Sequence, residues 1–142
     1  GGRFGIGSDS NVLIGVADEL RQLEYSQRLA HRARNVIAEP GGSTGRALFD
    51  AALAGGTQAL GAPPAAIEAG AAADLVSLDL SWPGLETTAH DGVLDAWIFA
   101  GRVKPKDVWV AGRKLVADGR HTVRGAVAQR FREAMSELAS GA

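Results

Sequence analysis

Cysteine is absent from this 142-residue chain, which excludes a disulfide framework and thiolate chemistry. Its absence suits the cytosol. Charge of one sign is also missing. The net charge is -1, and no basic stripe stands out, so the chain is expected to bind neither nucleic acid nor an anionic membrane surface. No apolar run approaches the ~18 residues needed to span a bilayer. The opening Gly1-Gly2-Arg3 is not a signal peptide, and no initiator Met precedes it. Because the first residues already read as a buried strand, the chain is expected to be a fragment of a longer polypeptide. No internal repeat is visible beyond a bias toward alanine and glycine. What is present is ample apolar content, 46% of residues, enough for a core of ordinary domain size.

The rest is organised around Arg3-Phe4-Gly5-Ile6-Gly7-Ser8-Asp9-Ser10-Asn11. Phe4 and Ile6 alternate with glycines that permit close backbone approach, as in a short buried strand. A small-residue turn then carries Asp9 at the strand's carboxyl end. In α/β architectures the loops above the strand ends form the open, catalytic face. Asp9 reads either as a metal-binding or general-base carboxylate or as a cap on the next helix. Ser8, Ser10 and Asn11 read as turn formers.

Helical spacing follows from about Gly15 to Asn35, with Val16, Leu20, Leu23 and Ala30 on the apolar side. Acids early and arginines late suit the helix dipole. Glu24 and Arg28 form an i,i+4 pair expected to be solvated. His31 and His90 read as surface or loop residues, and His121, after the second turn, as a cap on the strand end. Pro40-Gly41-Gly42 breaks the first helix. Ser43 or Thr44 caps a second that Gly55-Gly56 is expected to end, with one further turn over Thr57–Leu60. Residues 75–80 read as a strand, and 94–100 as either helix or strand. Residues 106–116 have the form of a hairpin, with Trp109 in its core and Asp118-Gly119 as a second turn. Residues 123–138 predict an amphipathic helix with Val127, Phe131, Met135 and Leu138 inward, and 139–142 frayed.

Three of these stretches, in order, resemble the carboxyl-terminal part of the amidohydrolase superfamily. They are Gly7-Ser8-Asp9-Ser10, then Ile67-Glu68-Ala69-Gly70-Ala71-Ala72-Ala73-Asp74-Leu75-Val76-Ser77-Leu78-Asp79, then Asp107-Val108-Trp109-Val110-Ala111-Gly112-Arg113 with Gly119. Residues 19–29, 43–56 and 94–101 are similar to the formimidoylglutamate deiminases within it. The resemblance implies an α/β fold: the end of a metal-dependent (β/α)8 barrel with strands of its small β-sandwich. It implies last-strand and helical residues at 1–66, sandwich strands at 67–122 and a terminal helix at 123–142. Asp9 matches the aspartate that contacts the catalytic zinc and takes a proton from its bound water, whose pKa zinc lowers to about 7. The implied reaction converts N-formimidoyl-L-glutamate and water to N-formyl-L-glutamate and ammonia.

The superfamily's histidine ligands have no match here, since the chain has no H-x-H. A barrel alone needs ~250 residues. The expected partners are therefore a small-molecule substrate, the missing amino-terminal barrel segment and a second subunit of a homodimer. The isolated chain is expected neither to hold zinc tightly nor to turn over. A guanine-, cytosine- or triazine-type deaminase shares the same tail, and a non-catalytic interaction module is the reading from another class.

Overall fold

The computed structural model describes residues 2–141. Among the described residues are four α-helices, one π-helical turn and a four-stranded sheet, so the chain is α/β. The residues divide into two compact units, residues 1–72 with 78–104 and residues 73–77 with 105–142, and each is taken by itself.

In the first unit, α1 spans Val16–His31 and α2 spans Thr44–Ala59. Ser43 caps α2 as expected, its side chain accepting the Arg46 N–H at 3.0 Å. Leu20 of α1, Leu48 of α2 and Ile98 meet in a fully buried core, flanked by Ile6, Leu23, Ile37, Ala52, Trp97 and Phe99. The 94–100 stretch that periodicity left open is helical. α3, Gly92–Asp95, runs directly into a π-helical turn, Ala96–Ala100, which ends at Gly101 with φ +66°. Such π turns arise where an extra residue is fitted into a helix. Here Trp97 meets Phe49 edge-on at 6.2 Å, and Phe99 stacks on Tyr25 at 6.0 Å.

Three expectations are corrected in this unit. Residues 2–7 form no strand; Phe4 and Ile6 are half-buried in an extended segment. A strand requires a hydrogen-bonded neighbour, and none pairs with this segment among the described residues. The first helix stops at His31, not Asn35, because Arg32 takes the left-handed conformation at φ +51°. Gly55-Gly56 does not end α2, which continues to Ala59. Gly55 is fully helical and serves a close approach instead: a Cβ there would overlap the Phe4 carbonyl.

The second unit holds most of the sheet, ordered β1 (Leu75–Asp79), β2 (Lys104–Val110), β3 (Arg113–Ala117), β4 (Arg120–His121). The expected hairpin is β2–β3, with Val108 opposite Val116, Trp109 opposite Lys114 and a bulge between Val108 and Trp109. Its turn places Ala111 and Gly112 at φ +47° and +75°, the positive pair that type I′ hairpin turns require. The strain at Ala111 is offset by the Asp74 carboxylate, which accepts the Ala111 N–H at 2.7 Å. Trp109 is half-buried with the Lys114 ammonium 4.5 Å from its ring centroid. His121 accepts the Val123 N–H at 3.3 Å, consistent with closing the strand end.

The terminal helix α4 forms from Arg124 to Ser140, reaching the first two residues of the stretch expected to fray; Ala142 lies outside the described residues. Its supposed inner face is exposed. Val127, Phe131, Met135 and Leu138 retain 51%, 64%, 48% and 69% of their accessible surface.

Candidate active-site segment

Asp9 sits at the end of the extended segment, in a tight turn closed by the Asn11 N–H donating to the Ser8 carbonyl at 2.7 Å. Two anchors hold that segment. Gly55 gives the Phe4 backbone room against α2, and Arg3 Nη1 donates to Gln58 Oε1 at 2.7 Å. Asp9 adopts φ +41°, a left-handed conformation that Asp and Asn tolerate better than most side chains. Its side chain is exposed and has no hydrogen bond or ion pair among the described residues. It is not a helix cap. α1 begins after Gly15, with no side-chain cap at all.

Downstream of the turn, Asn11 Nδ2 donates to Glu19 Oε1 at 2.8 Å, tying the turn to α1. Glu19 also lines a shallow cleft of about 370 Å³ together with Phe4–Gly7, Gln22, Leu23 and Ser26. The sequence reading did not single out Glu19. Its signal was available, as a first-turn acid eight residues after an asparagine in a turn.

Among the described residues no group of three or more His, Asp or Glu side chains is placed to hold an ion. His31 is exposed at the end of α1, His90 lies in the turn before α3, and His121 in β4. The described residues therefore do not make a zinc site, and Asp9 offers one carboxylate.

A second group of charges positions α2 and α3. The Gly45 N–H donates to Asp95 Oδ1 at 2.7 Å, and a Cβ on Gly45 would stand 2.6 Å from the Asp95 nitrogen. Arg46 bridges Asp91 at 2.9 Å and Asp50 at 3.1 Å, and these two carboxylates hold its pKa above the ordinary guanidinium value. This cluster is architectural.

The chain is 48% identical over 140 residues to a formimidoylglutamate deiminase of Pseudomonas aeruginosa, a match covering 97% of the chain and 31% of the relative. A crystal structure of an amidohydrolase from Brucella melitensis superimposes with a TM-score of 0.87 at 59% identity, over 96% of this chain and 30% of that one. Nearly the whole chain is thus similar to one stretch of amidohydrolase-family proteins. It is also 34% identical, over 97% of its length and 32% of the relative's, to a 5-methylthioadenosine/S-adenosylhomocysteine deaminase of Natronomonas pharaonis. The chain thus spans about a third of the length of the curated relatives it matches. No family profile matches it. No helix among the described residues is long and apolar enough to cross a membrane.

Proposed function

We propose that this chain serves in the hydrolytic deimination of N-formimidoyl-L-glutamate. The observation that carries the reading is the 48% identity to a formimidoylglutamate deiminase across nearly the whole chain. The 34% identity to a deaminase of adenosine derivatives supports the same reaction type on a different substrate, at lower similarity. In the proposed reaction the oxygen of water bonds to the formimidoyl carbon, the carbon–nitrogen bond to the leaving group breaks, and N-formyl-L-glutamate and ammonia remain.

Asp9 is the group from this chain that would move the proton. A carboxylate can take a proton from the attacking water and return it to the departing nitrogen, which leaves as ammonia only when protonated. Its exposure at the end of an anchored segment suits that task. A zinc ion, if the protein uses one, would supply an activated water, and its remaining ligands would come from outside the described residues. The same holds for the groups that grip the glutamate carboxylates. The (β/α)8 barrel, of which these helices would form the last part, belongs to the proposal in the same way.

The test is ammonia release from N-formimidoyl-L-glutamate by a protein of the relatives' full length that contains this chain. Turnover on this substrate, lost on Asp9→Asn, is the expected result. Turnover on an adenosine derivative instead would replace the substrate while retaining the deaminase. A reaction indifferent to Asp9→Asn would remove Asp9 from the chemistry.

A further inference from the structure

Asp9 holds a backbone conformation, φ +41°, that a non-glycine residue keeps only where its surroundings fix it. On the amino-terminal side the Phe4 backbone lies against Gly55, and Arg3 donates to Gln58. On the carboxyl-terminal side residues 12–14 cross to α1 as irregular backbone. The fastening there is a side-chain bond across eight positions, Asn11 Nδ2 donating to Glu19 Oε1 at 2.8 Å.

Glu19 stands where α1 can least shift. Its neighbour Leu20 is fully buried with Leu48 and Ile98. Arg21, next again, donates from Nε to the Ile98 carbonyl at 2.7 Å and pairs with Asp18 at 3.0 Å. Ile98 lies near the end of the π-helical turn. The last carbonyls of a helix have no partner within it, and a guanidinium suits the negative end of the dipole. The π-helical turn, α1 and the Asp9 turn are thereby joined in series. Ile98 is bonded to Arg21, Glu19 to Asn11, and the Asn11 N–H to the Ser8 carbonyl at 2.7 Å.

We propose, on the reading of Asp9 as the proton shuttle, that Glu19 is a positioning residue. Through Asn11 it fixes the turn that aims the Asp9 carboxylate. Proton transfer needs heavy atoms within about 2.6–3.2 Å. A misplacement of about 1 Å can cost on the order of 10²-fold in rate. In this role Glu19 acts on turnover only through the place of Asp9.

Steady-state deimination by a protein of the relatives' full length that contains this chain tests the role, with ammonia release as the readout. Glu19→Ala should lower kcat about 10- to 100-fold and leave KM within about twofold. Glu19→Gln loses the charge but keeps an acceptor for the Asn11 amide, and should retain kcat within about threefold. Added to Asp9→Asn, Glu19→Ala should lower the residual rate no further, because residues that act as a unit are not additive. Circular dichroism establishes that each variant is folded. If Glu19→Ala does not fold, Asn11→Ala makes the same comparison, since it leaves the backbone bond of the turn in place. Loss on Asp9→Asn with kcat unchanged in folded Glu19→Ala or Asn11→Ala overturns this role and leaves the reading of Asp9 standing. Equal losses from Glu19→Ala with and without the Asp9 carboxylate overturn it as a general structural effect. A Glu19→Gln as impaired as Glu19→Ala overturns it as an effect of charge. A reaction indifferent to Asp9→Asn removes both the shuttle and the residue that positions it.

Discussion

The Glu24 carboxylate is fully buried and accepts the Val36 N–H at 2.9 Å and the Ile37 N–H at 3.2 Å, with Arg28 Nε 2.7 Å from the same Oε1 that Val36 uses. The pair expected to be a solvated contact is instead the clamp that folds the chain back after α1. Arg28 completes it, its guanidinium 5.4 and 5.3 Å from the Tyr25 and Phe99 ring centroids. Glu24→Ala strands two backbone donors and an arginine, and should cost about 3 kcal/mol in chemical denaturation of this chain. Glu24→Gln keeps one acceptor and should cost roughly half as much. Equal stability of Glu24→Ala and the native chain would show that water replaces the clamp.

Gly55 is the second point where a small change should have a large effect. A methyl group there would overlap the Phe4 carbonyl, and neither α2 nor a backbone oxygen can yield as a flexible side chain would. Gly55→Ala should therefore destabilise by about 2 kcal/mol, even though alanine favours helix by ~1 kcal/mol over glycine. Gly56, next in the same helix, has open space at its Cβ and serves as the control. Gly56→Ala should be neutral or stabilising. Paired thermal melts distinguish the two, and matched behaviour of both variants would remove the anchoring role from Gly55.

These two sites show what was legible in the sequence. Local signals sufficed where the structure is local: the Ser43 cap, the β2–β3 hairpin and the helical periodicities all lie where their residues put them. Glu24 was misread because an i,i+4 spacing says nothing about a third partner twelve residues on. The Gly55-Gly56 pair was misread because a glycine needed for close approach looks the same in sequence as one that ends a helix. The inward face assigned to α4 had the right period, but period does not say what covers a face. For the site, the turn bearing Asp9 was visible as a run of small residues, while the Asn11–Glu19 tie and the cleft beside it depend on where α1 lies.

Asp107 makes the sheet sensitive to acid. Desolvation raises its pKa, but the Lys114 ammonium at 3.2 Å, the Asp118 N–H and the Ser77 hydroxyl outweigh it, so the carboxyl is held below its ordinary value of 3.8. A carboxyl with a depressed folded-state pKa contributes stability that is present above the unfolded value and lost as pH falls through the folded one. The hairpin should therefore loosen below about pH 4. Hydrogen exchange at the Asp118 amide, which donates to Asp107, should accelerate over that range more than pH alone dictates. In Asp107→Asn that excess should vanish. An unchanged acid profile in the variant would assign the loosening to another group.

Asp9 sets stability against chemistry in a way two substitutions can separate. Its φ of +41° costs an ordinary side chain about 1 kcal/mol and a glycine nothing. Asparagine tolerates the same conformation, so Asp9→Asn should leave the melting temperature unchanged while removing the carboxylate. Asp9→Gly should be neutral or slightly stabilising, depending on how far chain flexibility offsets the relieved strain. If Asp9 shuttles the proton in deimination, both variants of the full-length protein should lose about 10²- to 10⁴-fold in kcat, the usual contribution of a positioned acid–base group. Ammonia release and calorimetry on the same preparations give both readouts. Lost activity with retained stability assigns the carboxylate to chemistry; retained activity in Asp9→Asn would leave the residue only its turn.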